Sequence, residues 1–270
     1  YLGQLAFASA AFFGIGAYAA GLSMVHLGFG SLSAILLATV CGGLAGILVG
    51  LPALRVRGYY LAIITLAFGE LMRWFYVHGD AVTYGSGGFN MPDVSLFGFA
   101  LSDMKKYYLF LFMVVIGVGA SALLLHSRYG RAFVAVRNNE PAAGSLGIAV
   151  NRTKIIAFAW SGLITGLAGA LYAILNGRVS PDTFGISQML MHFVIVMIGG
   201  LGSLAGSMIG AVLLTGLPEL LRNFPGLEEI VFSALLIVVL FFMPKGVGGF
   251  LAAHLPWMRE RLYREDRRNA

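Results

Sequence analysis

The chain has 270 residues, of which 59% are apolar and only 11% charged, with a mean hydropathy of +0.85. A water-soluble domain of that length cannot hide so much apolar surface, which places the chain in a membrane. The formal charge of +6 reads mostly as a topology signal with some attraction to anionic lipid, and nucleic-acid binding is disfavoured.

A membrane span needs about 20 mainly apolar residues. Runs of this kind are predicted at 5–27, 32–51, 59–77, 107–125, 155–175, 188–217 and 230–243. Lipid leaves no backbone group without a partner, so these runs are expected to be helices. A β-barrel would alternate apolar and polar residues over ten-residue segments, and runs such as 109–117 (LFLFMVVIG) do not. The fold class is therefore all-α: a polytopic transmembrane helical bundle, with residues 1–250 as the membrane domain and 251–270 as a basic tail. Tyr1 stands in place of Met, already inside an apolar run, so residues before it are expected to have been removed or left out.

In the first span, Gly14 and Gly16 suggest an interrupted helix that exposes backbone to a polar cavity, against the alternative of tightly packed glycine. The string Gly14-x-Gly16-x-x-Ala19 follows no strand and is no dinucleotide fingerprint. Gly42, Gly46 and Gly50 recur every four residues, as do Gly202, Gly206 and Gly210, and Gly162 pairs with Gly166. Each set is expected to line a helical face with small residues so that neighbouring backbones come close. Cys41, the one cysteine, lies mid-span and reads as a packing residue. Glu70 and Arg73 are charges inside the third run, spaced to pair on one helical face. Two roles fit them: a gate or pathway wall, or an ion pair that positions the helix. Residues 78–106 form a long glycine-containing loop suited to an irregular external segment. His192, alone in an apolar stretch, reads as a hydrogen-bonded core residue, and Gly199, Gly200, Gly202 and Ser203 divide the sixth run in two.

Basic residues fix the orientation. Arg55, Arg57, the five Lys and Arg of 126–154 and the six between 245 and 268 fall on one face, against Lys105, Lys106, Arg178 and Arg222 on the other. The positive-inside rule makes the richer face cytoplasmic. The sequon at Asn151 would then be silent.

The loop 126–154 carries Arg128, Arg131, Arg137, Arg152 and Lys154 against one acid, Glu140. Residues 129–137 are predicted to form an amphipathic helical piece with Arg131 and Arg137 outward. A second begins at Asn139, with Asn as N-cap, Glu140 at the positive helix end and Pro141 in the first turn; Ala142 and Ala143 continue it and Gly147 stops it. Such a helix would lie across the membrane face, either resting on lipid head groups or docking a partner.

The chain also resembles a known family, the M-type permease subunits of ATP-binding-cassette importers for branched-chain amino acids. The resemblance is carried in order by Gly3-Gln4-Leu5-Ala6, Ala11 to Tyr18 (AFFGIGAY), Gly50-Leu51-Pro52-Ala53-Leu54-Arg55, Gly58 to Ile63 (GYYLAI), and Thr65 to Glu70 (TLAFGE). It continues through Ser127 to Ala132 (SRYGRA), Asn139-Glu140-Pro141-Ala142-Ala143, Gly199 to Ser203 (GGLGS) and Pro244-Lys245-Gly246. It implies a multi-pass subunit of the bacterial inner membrane, paired with a second homologous permease, docked on two cytoplasmic ATPase subunits and fed by a periplasmic solute-binding protein. Residues 140–147 would then be the coupling helix that fits a groove in the ATPase, with Arg128, Arg131, Arg137, Asn139, Glu140, Ala143 and Gly147 as coupling residues. Glu70, Arg73, Gly14, Gly16, Gly200 and Gly202 would be the candidates for pathway or gating.

No GxxxxGK[ST] string occurs, so the chain is expected to bind no cofactor and to leave ATP to its partners. HExxH, GxSxG and cysteine pairs are absent as well, which argues against an enzyme. The expected function is half of the translocation pathway for branched-chain, hydrophobic amino acids. Urea, short amides and aromatic acids remain open as cargo within the same class. An ion-driven carrier built on Glu70, Arg73 and His192, or a passive channel, stands as the alternative outside it.

Overall fold

The computed structural model of the chain describes residues 1–221 apart from Leu5, Arg57 and residues 93–94, 97–98 and 101–102. The predicted span at 230–243 and the tail at 251–270 lie outside the described residues. In chain order the helices are α1 (Ser9–Leu27), α2 (Ser31–Ala53), α3 (Tyr59–His78), α4 (Asp80–Thr83), α5 (Asp103–His126), α6 (Arg128–Asn138), α7 (Glu140–Ser145), α8 (Val150–Asn176), α9 (Ile186–Gly199) and α10 (Leu204–Leu221). Four two-residue strands accompany them, β1 (Phe89–Asn90), β2 (Ser95–Leu96), β3 (Phe99–Ala100) and β4 (Arg178–Val179). α1, α2, α3, α5 and α8 are long and apolar enough to cross a membrane. The protein is thus an all-α multi-pass bundle. Two compact units divide the chain, Leu2–Met189 and Leu190–Ala270, the second joined by Tyr1.

In the first unit α8 packs along both α1 and α2. Glycine makes this possible. A Cβ on Gly42 would run into the Gly162 carbonyl and lie 2.8 Å from the Gly166 Cα, while one on Gly16 would lie 2.6 Å from that same Cα. Three helices therefore meet backbone to backbone around Gly16, Gly42 and Gly166. Gly46 sits equally close to the Phe158 carbonyl, and Gly169 to that of Phe13. The four-residue spacing of glycines in α2 and α8 thus serves close helix packing in lipid, where apolar burial alone gives little drive for association.

The break predicted at Gly14 and Gly16 is absent. α1 runs unbroken from Ser9 to Leu27, with Gly14 under the ring of Tyr76 and Gly16 against α8. Glycine costs an isolated helix roughly 1 kcal/mol relative to alanine, but the neighbouring helices fill the space its missing side chain leaves, so the helix continues.

At one end of this unit, β1 pairs antiparallel with β4, Phe89 opposite Val179. The segment around Phe89 and the connection after α8, which the charge count assigned to one face, thus meet at one end. Phe89 is anchored there because Phe89, Phe184, Tyr18 and Tyr76 pack as one aromatic cluster, with Tyr18 stacked on Tyr76 at 4.2 Å. Arg178 Nη2 donates to the Gly87 carbonyl at 3.0 Å and closes the same loop.

In the second unit the division of the sixth run holds. α9 ends at Gly199, Gly200 and Gly202 take φ of +106° and +84°, and α10 starts at Leu204. Ser203 Oγ accepts from Gly206 N at 3.0 Å as an N-cap. Gly206 and Gly210 press against Gly199, but Gly202 belongs to the turn and not to their helical face. A positive φ is needed to reverse the chain in so few residues, which takes Gly202 out of the helix.

Candidate functional site

The predicted basic loop folds as two short helices that join α5 to α8. Ser127 starts α6: its Oγ donates to Leu124 O at 2.6 Å and accepts from Tyr129 N at 3.1 Å. α6 doubles back so tightly on α5 that a Cβ on Gly130 would collide with the Leu125 carbonyl. Gly130, Phe133 and Val136 form its buried stripe. Arg128, Arg131 and Arg137 stay exposed. The guanidinium of Arg128 lies over the Tyr129 ring, and the stem of Arg137 lies against Gly3.

α7 begins and ends as its sequence requires. Asn139 Oδ1 accepts from Ala142 N at 3.0 Å, and Pro141 occupies the first turn. Such an N-cap contributes about 1 kcal/mol. The helix stops at Ser145; Gly147 then takes a φ of +84°, and Ile148 N donates to Ala143 O at 3.1 Å.

Two of the chosen residues face differently from a docking surface. Ala143 is 2% exposed, packed inward because α7 lays one face on its neighbours. Glu140 is turned inward as well. Its Oε1 accepts from Lys154 Nζ at 2.7 Å, with the lysine side chain 0% and the glutamate side chain 22% exposed. Lys154, in sequence one more charge of the basic loop, stands in the second turn of α8. A cation with no exposed side-chain surface needs a carboxylate beside it. The fourteen-residue separation from Glu140 follows no helical spacing, so only the fold reveals the pair. Arg128, Arg131, Arg137, Asn139, Pro141, Ala142, Gly144 and Gly147 remain as an exposed surface on which the only charges are three arginines.

The second group of candidates is less concentrated. Glu70 and Arg73 do pair on α3, at 3.7 Å, with side chains 39% and 41% exposed. The Arg73 guanidinium lies beside Gly185. Gly14 lies against Tyr76 of the same helix, whereas Gly16 faces α8. Gly200 and Gly202 belong to the other unit. Thr65, which carries no signal of its own in the sequence, is fully buried and its Oγ1 accepts from Phe7 N at 2.8 Å, tying the N-terminal segment to α3. Among the described residues no three His, Cys, Asp or Glu side chains come together in a way that could hold a metal.

Comparison with known proteins decides the family. The family described as "Branched-chain amino acid transport system / permease component" matches residues 1–243. The chain belongs to this permease family. The permease is similar to the high-affinity branched-chain amino acid transport system permease protein LivM of Salmonella typhimurium, with 32% identity over 91% of the chain and 64% of the relative. The LivM protein of Escherichia coli K12 matches at the same identity and coverage. The permease therefore spans about two-thirds of the length of these relatives. It is also similar to the ribose import permease protein RbsC of Haemophilus influenzae, with 26% identity over 76% of the chain and 64% of the relative. No solved structure matches the chain.

Proposed function

We propose that the chain is a membrane subunit of an ATP-driven importer and forms half of the pathway for branched-chain, hydrophobic amino acids. A second homologous permease supplies the other half, two ATPase subunits dock on the cytoplasmic side, and a periplasmic binding protein delivers the solute. The likeness to LivM along nearly the whole chain carries this reading. The ribose permease is less similar and matched over less of the chain, which favours amino acids over sugars as cargo. The surface of α6 and α7 supports the docking role: three exposed arginines flank a capped helix held at the end of the membrane bundle. Energy enters as motion of α7, and the chain itself contributes no hydrolysis. Glu70 and Arg73, half exposed on α3, are the pathway candidates in this scheme.

Reconstitution tests the reading. Vesicles holding the chain with its second permease, ATPase subunits and binding protein are expected to accumulate radiolabelled leucine only when ATP is supplied. Unlabelled isoleucine and valine should compete, while urea, acetamide and phenylalanine should not. Leucine flux through the chain alone, driven by an ion gradient or by none, would contradict it.

A further inference from the structure

The Glu140–Lys154 pair is placed where a lever would be fastened. α7 has six residues, and its C-terminal end is joined to α8 by residues 146–149, with the Ile148 N to Ala143 O hydrogen bond beside it. That connector contains Gly147 at positive φ, and Leu146, Gly147 and Ala149 are exposed, so by itself it would act as a hinge. The ion pair attaches the opposite end of α7, from its first residue, to the second turn of α8. Two attachments make α7 and the start of α8 one rigid piece. One attachment would let α7 swing while α8 stayed still.

α8 then continues unbroken from Val150 to Asn176 and carries Gly162, Gly166 and Gly169, the residues in backbone contact with α2 and α1. A tilt applied at Lys154 cannot be absorbed by side-chain adjustment at those contacts, because backbone meets backbone there. The Lys154 side chain is 0% exposed, and a buried cation is tolerated only with its carboxylate partner in place, which holds the pair together as α7 moves.

We propose that Lys154 is a positioning residue for transport: through Glu140 it clasps α7 to α8, so that displacement of α7 moves the α1–α2–α8 core. The proposal rests on the importer reading above. The test uses the complete importer in vesicles, with ATP hydrolysis, leucine uptake and retention of ATPase subunits measured together. Lys154→Met is expected to keep the ATPase bound and hydrolysing, while uptake per ATP falls about tenfold, within the usual range of coupling between sites. The exchange Glu140→Lys/Lys154→Glu, which reverses the pair, should restore most of that ratio. A purely structural role would lower the amount of complex without changing uptake per ATP. If Lys154→Met does not fold, Glu140→Ala/Lys154→Met removes both charges: hydrolysis without transport supports the clasp. Wild-type uptake per ATP in either variant overturns it while leaving the importer reading intact. Failure of the wild-type chain to retain any ATPase would overturn both.

Discussion

Gly166→Leu is expected to abolish the folded bundle, and even Gly166→Ala to destabilise it measurably. Gly166 stands where α1, α2 and α8 meet, and a Cβ there would lie 2.9 Å from both the Ala38 carbonyl and the Gly42 Cα. Those are backbone atoms, so no rotamer change makes room and whole helices must separate. Overpacking ordinarily costs about 1–3 kcal/mol and occasionally more; a backbone clash at a three-helix junction belongs at or above the top of that range. Gly119 in α5 supplies the contrast, since nothing lies within 4 Å of a Cβ built there. Gly119→Ala should leave stability unchanged or raise it by up to about 1 kcal/mol, the helix propensity difference. Thermal unfolding in detergent followed by size exclusion reads both. Equal behaviour of the two alanine variants would refute the junction.

Glu140→Ala is expected to destabilise the protein more than Lys154→Met, although each removes one charge of the same pair. Losing the carboxylate strands a cation whose side chain is 0% exposed, and an unpaired buried charge costs about 3–5 kcal/mol. Losing the cation leaves a carboxylate that is 22% exposed, and water can reach it. Methionine fills the volume of the lysine stem, so Lys154→Met should cost less than half as much. Denaturation midpoints of the two variants decide the matter. The reverse order would mean that Glu140 is the more deeply dependent partner and that the pair is misassigned.

Much of the architecture was legible in the sequence because bilayer and helix impose simple rules. Twenty apolar residues make a span, so α1, α2, α3, α5 and α8 sit within a few residues of their predicted positions. Asn139, Pro141 and Gly147 specify the start and end of α7 through local chemistry, and α7 forms where they direct. Local rules failed where the outcome depended on a neighbour. Gly14 and Gly16 look the same in sequence whether a helix breaks there or another helix leans on it, and the contacts with Tyr76 and Gly166 decide for packing. Gly200 and Gly202, with positive φ, do break the chain. The partnership of Glu140 with Lys154 was invisible because two turns and a connector separate them, and because a lysine at the edge of an apolar run looks like any loop charge.

If the surface of α6 and α7 grips an ATP-hydrolysing subunit, photo-crosslinking from position 137, where Arg137 is exposed, will show it in membranes that contain all the importer's polypeptides. A crosslinkable residue there is expected to attach to the ATPase, while the same probe at Leu123, exposed on the apolar flank of α5, should not. Crosslinks from position 137 only to lipid, or equal labelling of the ATPase from position 123, would contradict the account.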